Sequence, residues 1–258
     1  MRILAIETSG RHGSLAALVG DARGDAATSI GARADGSAEG RIGDSQLLGQ
    51  IVLSGPSRTA QTLAPAIKSL LAEVGWKAGS IELVAVTIGP GSFTGLRIGV
   101  TTAKTLAYAV GAGVIGVNTL DVLSAQAGVT APGPLWAILD AQRQELYAAK
   151  FNAPPGQAAE GARQRTTPET RIVPAEAWLA ELRPGDWVTG PPLTRLRPRL
   201  PAGVFAATEA DWQPLAAAVG RVGWHAHCNG QRDDLWQLTP QYYRASAAEE
   251  KAATRPRV

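Results

Sequence analysis

Gly89-Pro-Gly-Ser-Phe-Thr-Gly-Leu-Arg-Ile-Gly99 is the stretch from which the architecture is read. It follows Ile81 to Ile88, a short β-branched run bounded by glycine, the pattern of a buried strand. Pro90 has no N–H for a sheet ladder, so that strand ends near Gly89. Beyond it Leu96, Val100, Ala103, Ala107 and Val110 recur at alternating spacings of four and three, one stripe of a helix. Ser92 or Thr94 is placed to cap it. The product is strand, tight turn, helix. A second face of the helix carries Gly95, Gly99, Thr102 and Leu106. Two glycines one turn apart bring another backbone close, either a partner helix or the sheet on which the helix itself packs. A glycine-rich turn before a helix can also hold phosphate. This one lacks the Gly-Lys-Ser/Thr ending of a Walker loop and the GxGxxG spacing, so the generic phosphate signal is weak.

Outward from this block the chain alternates strands and helices. Ile3 to Ile6 reads as a central strand, Glu7 to Gly10 as a polar turn, and Ser14 to Val19 as the hairpin partner. Asp21 to Asp44 is rich in small and polar residues and reads as a loop with a short strand near Thr28–Ala32; Gln50 to Ser54 follows as a third strand. Thr59 to Val74 is helical, with Leu63, Ile67, Leu70, Leu71 and Val74 as its stripe and Gly75 at its end. Pro65 predicts a start near Leu63 or a bend.

Val114 to Val117 is expected to open a second half as a strand, with Thr119 capping a helix to Gln126. Leu135–Leu139 and Glu145–Phe151 form a hairpin across Asp140–Gln144. Ala153 to Thr167 reads as a loop. Short strands at Arg171–Val173, Trp187–Gly190 and Val204–Ala206, helices at Pro174–Leu182 and Trp212–His225, and an extended Trp236–Arg244 complete the chain before a polar tail.

The 258 residues suffice for one large domain or two small ones. Hydrophobic residues make up 45% and charged ones 18%, the balance of a soluble globular protein. No apolar run reaches the ~20 residues of a membrane span, and the N-terminus turns polar at Glu7, unlike a secretory leader. A lone Cys228 excludes an intrachain disulfide, and the cytoplasm is the expected compartment. The net charge of +3 is no nucleic-acid footprint, and the basic clusters Arg195–Arg199 and Lys251–Arg257 read as solvated surface. The three histidines, His12, His225 and His227, give no metal-ligand pattern.

GPGSFTGLRIG resembles the signature of the TsaB (YeaZ) family, accessory subunits in bacterial biosynthesis of threonylcarbamoyladenosine in tRNA. Three further blocks agree with that family in order: Arg2-Ile-Leu-Ala-Ile-Glu-Thr-Ser9 with its opening strand and turn, Asp140-Ala-Gln-Arg-Gln-Glu-Leu-Tyr147 with its DAR-x-x-EVY hairpin, and Pro240-Gln-Tyr-Tyr-Arg244 with its closing P-x-Y-x-R. The resemblance implies an α/β fold of two ribonuclease-H-like halves of the actin, Hsp70 and sugar-kinase superfamily. The first half would span 1–113 and carry partner-docking helices; the second would span 114–258, able to return a helix to the first. It departs from the family at Thr59, where a histidine is usual, and at the long Asp21–Asp44 segment.

The implied role is non-catalytic: binding and activating a TsaD-type transferase subunit, with a TsaE-type ATPase in the larger complex, a homodimer when the chain is alone, and only indirect contact with tRNA. The candidate partner interface is Leu63, Ile67, Leu70, Gly95, Gly99, Thr102 and Leu106, some of which must face their own sheet, and Gly99→Arg is expected to abolish docking while the fold survives. Glu7, Thr8, Ser9, Gly89, Gly91, Ser92, Thr94, Arg97, Asp140 and Arg143 are motif positions and a possible vestige of a nucleotide site. Active superfamily members use an aspartate in the first turn and glycines in the second; here the positions are Glu7 and the glycine-free Asp140–Gln144, where side chains fill the space a phosphate would need. Asp140 and Arg143 are expected to pair or brace that turn. No catalytic residue, metal or cofactor is assigned. The alternative is a superfamily enzyme, metallopeptidase-like or an ATP-dependent phosphotransferase, which would require a metal pair, a phosphate cradle or a nucleophile–base pair.

Overall fold

The structure, a computed structural model, describes residues 1–21, 45–53, 59–127, 133–152 and 168–244. The strand expected at Thr28–Ala32, most of the Asp21–Asp44 segment, the Ala153–Thr167 loop and the tail from Ser246 lie outside the described residues.

Alternation of apolar side chains builds the first sheet. β1 (Arg2–Glu7) pairs antiparallel with β2 (Ser14–Gly20), which pairs antiparallel with β3 (Ser45–Val52). β4 (Leu83–Gly89) lies parallel to β1, and β5 (Gly113–Asn118) parallel to β4, so the order is β3-β2-β1-β4-β5. Leu4 and Ile6 of β1 face one layer with α1 (Thr59–Glu73) and α2 (Phe93–Val110); Ile3 and Ala5 face the other, with α6 (Ala216–Cys228). α6 follows the second sheet in sequence yet completes the core of the first. Gly220 lets it approach closely, since a Cβ there would lie 2.3 Å from a Leu18 methyl.

The second sheet repeats the plan. β6 (Leu135–Asp140) and β7 (Glu145–Phe151) form an antiparallel hairpin, β8 (Arg171–Pro174) pairs antiparallel with β7, and β9 (Trp187–Thr189) and β10 (Phe205–Ala206) add in parallel beside β6. Its order, β10-β9-β6-β7-β8, matches the first sheet strand for strand. Two sheets of this order, each with helices on both faces, make the two ribonuclease-H-like halves. α3 (Thr119–Ala127) buries Leu120 and Leu123 against β6 and β7 and also meets α6, so both helices sit between the sheets. α4 (Ala175–Glu181) and α5 (Leu193–Leu196) cover the outer face with Trp178, Leu179 and Leu193.

Three local expectations are corrected, and a fourth, the start of α1, is narrowed to the first of its readings, Thr59. The strand at Val114–Val117 does not open the second half: it is the last strand of the first sheet, held by parallel pairing with β4. β3 begins at Ser45, because Leu47 and Leu48 lie outward on an edge strand, where hydropathy gives no alternation to read. α1 starts at Thr59 and runs through Pro65. The cap of α3 is Asn118, whose Oδ1 accepts the Leu120 N–H at 2.8 Å, whereas Thr119 is buried.

Candidate partner-docking site

The four sequence blocks quoted above converge in space. β1 ends in Glu7 and turns at Thr8 and Ser9, and this turn is the seat of α2. The Ser9 carbonyl accepts the Ser92 N–H at 2.8 Å, and the Thr8 N–H donates to Thr87 Oγ1 at 3.3 Å. Ser92 then caps α2, its Oγ accepting the Gly95 N–H at 3.2 Å, while Thr94 stands exposed on the first turn. A Cβ on Gly95 would lie 2.0 Å from the Thr8 carbonyl oxygen, and one on Gly99 2.1 Å from Thr8 Oγ1. Both glycines therefore exist to let α2 rest on the first turn.

The closing block straps the same region. The Gln241 N–H donates to the Ile88 carbonyl at 2.7 Å, and Gly89, at φ +129°, leaves room for the Gln241 carbonyl. Tyr242 stacks on Phe93 with ring centroids 4.5 Å apart. Arg97 lies 4.0 Å over the Phe93 ring, and its Nε donates to the Tyr242 hydroxyl at 2.9 Å. Asn118 Nδ2 donates to the Tyr243 hydroxyl at 3.0 Å, and Arg244 donates to the Ala141 carbonyl and pairs with Glu145. The segment thus ties α2 of the first sheet to the β6–β7 turn of the second. Further back, Lys104 Nζ donates to the Trp236 and Leu238 carbonyls at 3.1 and 3.0 Å, and Trp236 meets Tyr108 edge-on at 5.5 Å. Phe93, Lys104, Asn118 and Tyr242 carry this clamp and were not singled out by sequence reading. Phe93 and Tyr242 stand inside quoted motifs; nothing in the sequence marks Lys104 or Asn118.

The β6–β7 turn holds Gln142, Arg143 and Gln144 at φ 64°, 50° and 63°, three consecutive left-handed residues without glycine, all exposed. Asp140 Oδ1 accepts the Gln142 N–H at 2.8 Å, and its carboxylate faces Arg195 at 3.4 Å, so Arg195 braces the turn from α5. The turn presents side chains rather than bare backbone to its surroundings. A cleft of about 1290 Å³ opens beside Asn118, Gln241 and Tyr243. Its described lining carries Asp121, Glu169, Asp233 and Asp234 and no lysine or arginine, a field that repels phosphate. Among the described residues no three or more histidine, cysteine or carboxylate side chains gather as a metal site.

The expected interface residues divide. Leu63 and Leu70 are 1% and 0% exposed and Ile67 is 8%; all three belong to the core between α1 and the first sheet. Gly95 and Gly99 face Thr8. These five are corrected from partner contacts to internal packing. Thr102 and Leu106 are half-buried on the flank of α2, with Ile98. The exposed face of α2 carries instead Thr94, Arg97, Thr101, Thr105, Tyr108 and Ala109, and α1 exposes Gln61, Pro65, Lys68, Ser69 and Ala72 among others.

The chain is similar to known proteins in sequence and in fold. The profile of the TsaD family, described as tRNA N6-adenosine threonylcarbamoyltransferase, matches residues 56–161. The tRNA threonylcarbamoyladenosine biosynthesis protein TsaB of Bacillus subtilis is 30% identical over 197 residues, covering 72% of this chain and 80% of that protein. Its Escherichia coli namesake is 34% identical over 100 residues, 37% of this chain and 42% of that one. The crystal structure of YeaZ from Pseudomonas aeruginosa shares the fold, with a TM-score of 0.67 at 22% identity over 93% of this chain and 99% of the other. With four motif blocks gathered at one seat and that extent of similarity to the Bacillus protein, the chain belongs to the TsaB family.

Proposed function

We propose that this chain is a non-catalytic subunit in tRNA threonylcarbamoyladenosine biosynthesis, docking a TsaD-type transferase through the outward faces of α1 and α2. The observation that carries the reading is the character of that ledge. Lys68 and Glu73 are the charged residues of α1, and Arg97 and Lys104 those of α2. Arg97 and Lys104 are both committed to the closing segment. The exposed face of α2 is left with uncharged side chains, Thr94, Thr101, Thr105 and Ala109 with the aromatic Tyr108 beside them, flanked by half-buried Ile98 and Leu106. Depletion of charge at the centre of a patch is the compositional mark of an interface core. A specific complex here buries on the order of 1,600 Å². The glycine-free β6–β7 turn and the acidic cleft support the non-catalytic part of the reading. In the same reading a TsaE-type ATPase joins the larger complex, and two copies pair through this ledge when the transferase is missing.

Thr101→Arg tests it. The side chain is exposed in the chain alone, so melting stays near that of the wild type, whereas a buried, unpaired charge at the interface weakens transferase binding by roughly 100-fold. Calorimetric titration of the folded variant into the transferase subunit measures this, and reconstituted tRNA modification falls with it. A well-folded variant of unchanged affinity overturns the docking reading.

A further inference from the structure

Glu7 is fully buried at the end of β1. Its Oε1 accepts the Ser9 N–H at 2.7 Å and the Ser9 hydroxyl, while Oε2 has no hydrogen-bond partner among the described residues. Burial disfavours the ionised carboxylate more than the Ser9 bonds favour it, and opening the turn to water would relieve that cost, whereas the neutral acid carries no charge to solvate. The elements around it bring neutral groups: Ser14 opposite it on β2, and Gly10 of its own turn, on which Pro214 from the segment ahead of α6 packs. Arg11 and His12 on its own turn are exposed, and the nearest charge of α2, Arg97, is held on Tyr242. Burial is the cause that raises its carboxyl from 4.5 to about 7, with the Ser9 and Gly10 hydrogen bonds pulling the other way and no charged neighbour contributing. Ser9, its hydrogen-bond partner, is also the residue whose carbonyl receives the Ser92 N–H at the start of α2.

We infer that Glu7 is a proton-gated latch: as a neutral acid it fixes the Thr8–Ser9 turn against the start of α2, and its ionisation loosens that helix. The latch follows from the fold alone; its effect on partner affinity rests on the docking reading above. The folded chain keeps a proton at Glu7 that the unfolded chain loses between pH 4.5 and about 7. Stability from this group is therefore complete below pH 4.5, declines as pH rises, and is lost above about 7, a fall of roughly 300-fold in the folding constant.

The test is hydrogen exchange at the Ser9, Ser92 and Gly95 amides of the full chain, corrected for intrinsic rates, across that pH window. Wild-type protection is expected to fall with rising pH, and Glu7→Gln, which cannot ionise, to flatten the profile. A flat wild-type profile, or a Glu7→Gln profile with the wild-type slope, overturns the latch. Should Glu7→Gln not fold, the carbon-13 shift of the wild-type Glu7 carboxyl decides: a midpoint near neutrality supports the latch, and one near 4.5 overturns it. Titrating the transferase subunit across the same window separates the two readings. Protection lost with no change in affinity supports the latch and counts against α2 as the docking element.

Discussion

Alanine at Gly95 lowers the melting temperature by about 10 °C, the expected consequence of overpacking worth about 3 kcal/mol in a chain of this size. The Cβ would sit 2.0 Å from the Thr8 carbonyl oxygen, and a backbone atom of a central strand end has nowhere to go. Alanine at Gly99 costs a similar amount for a different reason, since its Cβ meets the Thr8 hydroxyl at 2.1 Å. The difference is testable. Thr8 Oγ1 is buried without a hydrogen-bond partner among the described residues, so deleting it is cheap. Thr8→Ala therefore rescues Gly99→Ala and leaves Gly95→Ala unrescued, a non-additivity that a double-mutant cycle in thermal denaturation reads directly. A Gly95→Ala protein melting within about 2 °C of wild type would remove the basis for assigning this face to internal packing. The same geometry revises the expectation for Gly99→Arg: the fold gives way before partner binding can be measured.

Trp224→Ala is the second large effect. The indole is 1% exposed and lies against the end of β2, where a Cβ on Gly20 would approach its ring to 2.4 Å. It anchors α6 on the inner face of the first sheet beside Ile3, Leu18 and Ile115. Truncating a buried tryptophan of this kind removes about 3–5 kcal/mol. Hydrogen exchange is expected to place the loss in β1, β2 and β4, although the substitution lies more than a hundred residues further along the chain. Loss confined to β6 and β7 would contradict the assignment of α6 to the first core.

Much of the architecture could be read from the residues because local pattern and global fold agree. Ile3–Ile6, Ser14–Val19 and the two runs around Asp140–Gln144 alternate or pair as hairpins, and Gly89–Gly99 marks a strand-to-helix passage that the structure places between β4 and α2. Which way α2 faces was not legible. Gly99 and Val100 both belong to an inward arc wider than 100°, and a residue without a side chain gives no hydropathy by which to orient it. The stripe Leu63, Ile67, Leu70 is apolar and its periodicity by itself says core; only the resemblance points it outward. The exposed face of α2, Thr94, Thr101, Thr105 and Ala109 with Tyr108, carries little signal because uncharged residues suit exposed helix and interface alike. The pairing of β5 with β4 is non-local and parallel, so no turn announces it. By sequence Glu7 reads as part of a polar turn; only the fold shows that its carboxyl is buried and bonded to Ser9.

The late arrival of α6 has a consequence during synthesis. All five strands of the first sheet have been made once Asn118 leaves the ribosome, but the helix that shields their inner face ends at Cys228. At ~5–20 residues per second that surface waits about 5–20 s for its cover. A nascent chain paused in this interval presents Ile3, Ala5, Leu18 and Ile115 as one uncovered apolar surface, prone to aggregate until α6 arrives.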